Sequence, residues 1–127
     1  MGRLLRQGQG WRLGWDAGNS PYVGLVGAEA WALELTLPEL QDFCRLLGDV
    51  ARTFESLTPE LMPEERLTCE HSSSLIWLEA AGYPGDFDLR LLLLTGRRGE
   101  GYWPATAVRE LLAASQSLSA TNLEAML

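Results

Sequence analysis

The chain has 127 residues, and its 17 acidic side chains outnumber its 10 basic ones, all arginines, to give a net charge of −7. This charge makes duplex DNA an unfavourable ligand, because attraction to phosphate supplies most of the affinity for DNA. The 46% of hydrophobic residues exclude a disordered chain, and the length suits a single domain over residues 1–127.

The first half of the chain is predicted to form three strands followed by a helix. Strands are favoured where apolar side chains alternate with polar ones, as in the run WALELTL. The three strands cover residues 6–16, 22–27 and 31–37. Pro38 suits a first helical turn, and apolar residues then recur every three or four positions, so a helix is predicted over about 38–57.

The second half repeats this plan of strands followed by a helix. Strands are predicted at 66–71, 75–81 and 87–95, a turn at 96–101, a short strand at Tyr102 and Trp103, and a helix at about 105–118. The leucine run near residue 93 indicates a central strand that is covered on both faces. Together the elements predict an α+β fold, in which a curved antiparallel sheet of about seven strands carries two main helices.

The second helix is unusually poor in charge. Between residues 105 and 118 its only charged side chains are Arg109 and Glu110. A helix of this kind is either buried within its own chain or packed on another subunit. The sequence therefore leaves open a homodimer through Val108, Leu111, Leu112 and Leu118.

Residues that commonly support catalysis or bind metals form no recognisable pattern. Cys69 and His71 share one predicted strand face, but a zinc site needs three or four protein ligands. Cys44 lies in an apolar part of the first helix, away from the cationic surroundings that activate a thiol. We predict no catalytic residue, no cofactor and no metal site, and we expect free thiols in a reducing cytoplasm.

The positive charge is concentrated in two short segments. Residues 1–15 and 90–99 each carry three arginines and no acidic residue, whereas residues 16–89 carry 14 acidic residues and three arginines. Aromatic side chains adjoin both segments, and aromatic rings beside arginines on a sheet can stack on single-stranded nucleic acid. The candidate contact residues are Trp11, Arg12, Arg90, Arg97, Arg98 and Tyr102.

Most of the chain resembles a family of small cyanobacterial proteins known as domain of unknown function 1818. The resemblance covers roughly residues 2–114 and is carried by the runs GWRLGWD, PYVGLVG, WALELT, SLIWLE and LRLLLLTGRRGEGYWP. It implies a cyanobacterial cytoplasmic protein, and the family supplies no activity.

The predicted fold is also similar to that of the single-stranded-DNA-binding transcriptional regulators, which include the Whirly proteins and the core of positive cofactor four. In the latter, a basic GRKG-like turn precedes a short strand and a helix that begins at proline. Residues 96–104, GRRGEGYWP, follow the same order. The resemblance implies two meander-and-helix halves and a surface for single-stranded nucleic acid.

We expect an uncharacterised, non-catalytic binding or interaction protein, with weak binding of single-stranded nucleic acid as the sharper form of that hypothesis. The first alternative is an assembly or regulatory adaptor that uses the apolar C-terminal helix and an acidic surface at Glu60, Glu64, Glu65 and Glu70. The second alternative is a small-ligand-binding barrel. No segment approaches the ~20 apolar residues that span a bilayer, so no membrane partner is expected.

Overall fold

A computed structural model describes residues 2–57 and 65–120, with side chains as far as residue 118. These residues form two four-stranded antiparallel sheets and two long helices. The first sheet contains β1 (Arg3–Gly8), β2 (Trp11–Asp16), β3 (Gly24–Gly27) and β4 (Ala32–Leu35), and α1 (Leu37–Leu57) follows it. The second sheet contains β5 (Leu67–Ser72), β6 (Ile76–Tyr83), β7 (Asp86–Leu93) and β8 (Gly99–Trp103), and α2 (Ala105–Ala120) follows it.

The predicted α+β class is confirmed, but the prediction of one curved seven-stranded sheet is wrong. Each half of the chain pairs its four strands in sequential order, so each half closes as a meander of its own. The long helix α1 separates β4 from β5, and the strands of the two halves belong to different sheets. The repetition of strands and helix that the sequence shows therefore corresponds to two sheets.

The strand predicted over residues 6–16 is in fact a hairpin. β1 pairs with β2 from Arg3 opposite Asp16 to Gly8 opposite Trp11, which leaves two residues for the turn. Gly10, the second of these, has a φ of 83°, and glycine reaches this conformation without steric cost. The chain therefore reverses within the segment that was predicted as one strand, and this reversal supplies the eighth strand.

The start of α1 is fixed by a reciprocal pair of side chains. The Glu39 carboxylate accepts a hydrogen bond from the backbone N–H of Thr36 at 2.8 Å, and the Thr36 hydroxyl lies 3.4 Å from the backbone N–H of Glu39. This capping box satisfies donors that would otherwise be unpaired at the helix end. The predicted helix is confirmed, and it begins one residue earlier, at Leu37.

Both helices bridge the two sheets. α1 contacts β3 and β4 of the first sheet and β5 and β6 of the second, whereas α2 contacts β1, β2, β7 and β8. The buried side chains of the sheets and helices form one continuous hydrophobic cluster. Burial of this apolar surface is the main favourable term in folding. Neither helix of residues 2–57 and 65–120 is long and apolar enough to cross a membrane.

The apolar stripe of α2 belongs to this core, which corrects the predicted dimer contact. Val108, Leu111 and Leu118 are buried, and Leu112 is partly buried against the same cluster. These side chains pack against their own chain and are not available to a second copy. The low charge of α2 is therefore explained by intramolecular packing, the alternative that the sequence left open.

The two sheets meet where β4 approaches β8, and glycines make this contact possible. A Cβ atom at Gly101 would lie 2.1 Å from the Trp31 ring, and one at Gly99 would lie 2.9 Å from a methyl group of Leu33. Side chains of β4 and of Trp31, the residue before it, thus occupy the space above two glycines of β8. Trp31 in turn packs on Trp103, with ring centroids 4.9 Å apart.

Gly101→Ala is expected to lower the free energy of unfolding by about 2 kcal/mol, because the new methyl group displaces the Trp31 ring. Gly96→Ala is the matched control, since a Cβ atom there has no neighbour within 4 Å and a change within about 0.5 kcal/mol is expected. Urea unfolding measures both values. Equal stability of the two variants would contradict the tight contact between β4 and β8.

Candidate functional site

The outer side of the second sheet carries a mixture of carboxylates and large apolar side chains. Residues alternate along each strand, so that every second side chain points away from the core and is half-buried or exposed. The large apolar members of this surface are Trp77, Tyr83, Leu92 and Tyr102, and its carboxylates are Glu70, Glu79, Asp86, Asp88 and Glu100. We call this surface the acidic face.

One row across the four strands shows how the acidic face is built. Glu70 pairs with Glu79, Glu79 with Arg90, and Arg90 with Tyr102, so that one side chain from each strand lies side by side. Cross-strand neighbours on one face interact directly. Two carboxylates, one guanidinium and one phenol therefore lie in a single line across the sheet.

Arg90 is surrounded by partners on this face. Its Nη1 lies 3.8 Å from a carboxylate oxygen of Glu79, and its guanidinium carbon lies 5.9 Å from the centre of the Trp77 ring. The Trp77 indole N–H donates to the Glu70 carboxylate at 3.0 Å. The local positive charge of Arg90 is thus compensated, and the face as a whole is acidic.

Tyr102 is one of the most exposed large hydrophobic side chains in the described part of the chain, with 47% of its surface accessible. Its hydroxyl donates to Asp88 at 3.1 Å. Partial burial and the charge and hydrogen bond of Asp88 raise the pKa of Tyr102, while the charge of Arg66 acts in the opposite direction. The ring therefore presents an open apolar surface whose hydroxyl is held in the neutral form.

Asp88→Asn is expected to move the pKa of Tyr102 back toward its ordinary value of about 10, because the neighbouring negative charge is removed. A Tyr102 pKa that is higher in the folded than in the unfolded state adds to the free energy of unfolding while the hydroxyl is protonated. That stabilisation is complete below about pH 10 and is lost as the pH rises through the higher folded-state pKa. Alkaline titration of tyrosinate absorbance measures the shift, and Tyr102→Phe identifies its signal. An unchanged titration in Asp88→Asn would show that Asp88 does not act on Tyr102.

Arg97, from the candidate turn GRRG, holds the hairpin between β7 and β8 against the first sheet and α1. Its guanidinium forms an ion pair with the buried Glu39 carboxylate and donates to the Glu34 carbonyl oxygen at 2.7 Å. It also lies over the Tyr22 ring, 4.5 Å from the ring centre. The predicted hairpin turn is present, and the contacts of Arg97 are those of a structural residue.

Within the described residues, Arg98 lacks the side-chain contacts that Arg97 makes. It is exposed, its φ is 52°, and its backbone N–H donates to the Thr95 carbonyl oxygen at 3.0 Å to close the turn. Arg97 therefore has partners within the chain, whereas the side chain of Arg98 is exposed.

The remaining candidate contacts lie on the first sheet. Trp11 is buried, and its indole N–H donates to Glu110 at 2.9 Å, so its ring does not form an open stacking surface. Arg12 lies on the other side of the sheet and donates to the Ala28 and Trp31 carbonyl oxygens. Of the six predicted contact residues, only Arg90 and Tyr102 lie opposite each other on adjacent strands.

Most of the carboxylates on the acidic face were missed by the sequence reasoning. Of the predicted acidic cluster, Glu60 and Glu64 lie outside the described residues, Glu65 is exposed, and Glu70 lies on the acidic face. The others come from β6, β7 and β8. Their period-two positions were a usable signal, but the register of four strands was needed to place them together.

The Cys69 and His71 side chains point toward α1 rather than toward the acidic face. His71 Nε2 lies 2.9 Å from the Thr53 hydroxyl, which itself donates to the Asp49 carbonyl oxygen. Burial raises the pKa of the Cys69 thiol, which lowers its reactivity. Both side chains therefore lie in the packing between β5 and α1.

Comparison with known proteins gives a family and a fold. The family described as "Domain of unknown function (DUF1818)" matches residues 6–118. A crystal structure of a protein of unknown function from Prochlorococcus sp. NATL2A, described as a member of the DUF155 family, has a TM-score of 0.84 and 26% sequence identity. The match covers 91% of this chain and 98% of that chain. No curated protein matches the chain.

Proposed function

The chain belongs to the DUF1818 family, and since that description assigns no activity, we propose from its surface that it is a non-catalytic interaction protein. The acidic face binds a basic segment of a partner protein. This proposal keeps the adaptor hypothesis but relocates its acidic surface to the outer side of the second sheet. A cytoplasmic location is part of the same proposal.

The observation that supports this proposal is the arrangement of five carboxylates around Trp77, Leu92 and Tyr102. Aromatic side chains provide large contact areas with little loss of conformational freedom, and they are enriched at interfaces. Surrounding charges of one sign favour a partner of the opposite sign and accelerate its encounter. Every strand of this sheet therefore carries at least one carboxylate that a basic residue of the partner could contact.

A labelled peptide provides the direct test. The probe is a fluorescein-labelled peptide in which arginine and serine alternate around one tryptophan, and fluorescence anisotropy measures its binding to the full chain. We expect saturable binding that weakens as salt is added. The double variant Glu70→Gln with Glu100→Gln is expected to bind about fivefold more weakly, as loss of two peripheral charges predicts.

The matched control removes the same charge elsewhere. Glu29 and Glu55 are exposed on other parts of the molecule, so Glu29→Gln with Glu55→Gln changes the net charge equally. We expect this control to bind the peptide nearly as well as the original chain. If both double variants weakened peptide binding equally, net charge alone would explain the effect. The assignment of the binding site to the acidic face would then be wrong.

Weak binding of single-stranded nucleic acid is the second candidate, and the pairing of Arg90 with the exposed Tyr102 favours it. The same variants distinguish it from the first, because phosphates respond to charge with the opposite sign. Glu70→Gln with Glu100→Gln would strengthen binding of labelled oligothymidylate, and Arg90→Gln would weaken it. If no oligothymidylate binds at low salt, this candidate fails.

A further inference from the structure

A groove of about 300 Å³ crosses the outer side of the first sheet, away from the acidic face. Its apolar centre follows one cross-strand row, in which Leu5 lies opposite Gly14 and Gly14 opposite Leu25. Leu5 is 48% exposed. The Leu5 side chain lies over Gly14, where a Cβ atom would be 3.1 Å from a Leu5 methyl carbon, so Leu5 and Leu25 form the apolar part of the groove.

Arg12 lines this groove and has an unusual environment. Its guanidinium is half-buried and donates through Nε to the Ala28 carbonyl oxygen at 2.9 Å and through Nη2 to the Trp31 carbonyl oxygen at 3.0 Å. Within residues 2–57 and 65–120, no carboxylate forms an ion pair with it. Two carbonyl oxygens use two of its five N–H donors and do not neutralise its charge.

The groove lining also contains two carboxylates and a second arginine, Arg3, and each carboxylate has a local hydrogen-bond donor. Asp16 accepts a hydrogen bond from the backbone N–H of Gly18 at 2.9 Å, and Glu34 accepts one from the Asn19 amide at 2.7 Å. Arg12 is held in place by the backbone of the turn between β3 and β4. A held, half-buried cation without a carboxylate partner has donors left for an anion.

We propose that this groove binds a small organic carboxylate with an aliphatic body. The carboxylate meets the remaining donors of Arg12, and the aliphatic part lies along Leu5 and Leu25. The volume is at the lower end of the usual range for small-molecule sites, about 300 Å³, and suits a chain of medium length. The proposal is independent of the acidic face, which lies on the other sheet.

Octanoate is the probe, and n-octanol is its neutral counterpart of equal chain length. Isothermal titration calorimetry on the full chain should show saturable octanoate binding at one site, and the octanol affinity should be at least tenfold lower, because the Arg12 contact is missing.

Two variants locate the site. Leu5→Glu places a negative charge over the groove, and Leu94→Glu is its matched control, because Leu94 is equally exposed, at 48%, on another part of the molecule. Leu5→Glu should weaken octanoate binding at least tenfold, whereas Leu94→Glu should leave it unchanged. Arg12→Gln should reduce the preference for octanoate over octanol, with thermal unfolding used to verify that the variant is folded.

Three results would overturn the proposal. They are equal affinity for octanoate and octanol, equal effects of Leu5→Glu and Leu94→Glu, or no saturable binding at millimolar octanoate. None of these results depends on whether the acidic face binds a basic peptide.

Discussion

Replacing Arg97 with alanine is expected to lower the free energy of unfolding by about 3 kcal/mol, because the Glu39 carboxylate is left buried without its cation. Glu39 is only 3% exposed, whereas 33% of the Arg97 side chain is accessible. The partial exposure of Arg97 places the expected loss at the low end of the range for buried pairs. Urea unfolding followed by tryptophan fluorescence measures it.

Arg98→Ala is the matched control for this prediction. The neighbouring arginine is exposed, so its removal should change stability by no more than about 0.5 kcal/mol. Combining Arg97→Ala with Glu39→Gln should recover part of the loss, because a neutral amide is less costly to bury than an unpaired carboxylate and can still cap the helix. Equal losses in the two single arginine variants would contradict the role assigned to Glu39.

The same contacts determine how nucleic-acid binding can be tested. A double variant at Arg97 and Arg98 would mix a loss of fold stability with a loss of charge. Arg90→Gln and Arg98→Ala change exposed side chains, so an altered affinity in these variants reports on binding itself. The turn GRRG is therefore only partly available to a ligand, since one of its arginines is used within the fold.

The two helices were predictable because each carries a complete periodic signal within its own segment. In α1 the apolar spacing, the proline in the first turn and the following acidic residues all agree. The division into two sheets was not predictable, because strand periodicity marks which side is buried and does not specify the partner strand. The hairpin at Gly10 was missed because residues 6–16 were interpreted as one strand.

The contacts of the candidate site were not predictable either, because the residues that make them lie far apart in the sequence. Arg97 and Glu39 are 58 positions apart, and each had a plausible local interpretation, as a basic turn residue and as an acid near a helix N-terminus. The four members of the row Glu70, Glu79, Arg90 and Tyr102 come from four strands. Local patterns predicted the environment of single residues, whereas the acidic face depends on register.

Trp103→Ala is expected to be the most damaging single substitution among those considered, with a loss of about 5 kcal/mol. Trp103 is fully buried, and its ring packs on Trp31 and Phe43, with centroids 4.9 and 5.7 Å away. Removal of a buried tryptophan costs about 3–5 kcal/mol. The Gly27 carbonyl oxygen, which accepts from the indole N–H at 2.9 Å, would also lose its buried donor, at a further cost of about 1 kcal/mol.

Because single domains have only about 5–15 kcal/mol of stability, Trp103→Ala can prevent folding altogether, and Trp103→Phe keeps the prediction measurable. Phenylalanine retains aromatic packing and lacks the N–H donor, so a loss of about 2 kcal/mol is expected. Trp77→Ala is the comparison, since Trp77 lies half-buried on the outer side of the same sheet. Its removal should cost only about 1 kcal/mol. A larger cost at Trp77 than in Trp103→Phe would mean that the outer side of the sheet is covered in solution, and the acidic face would then not be free to bind a partner.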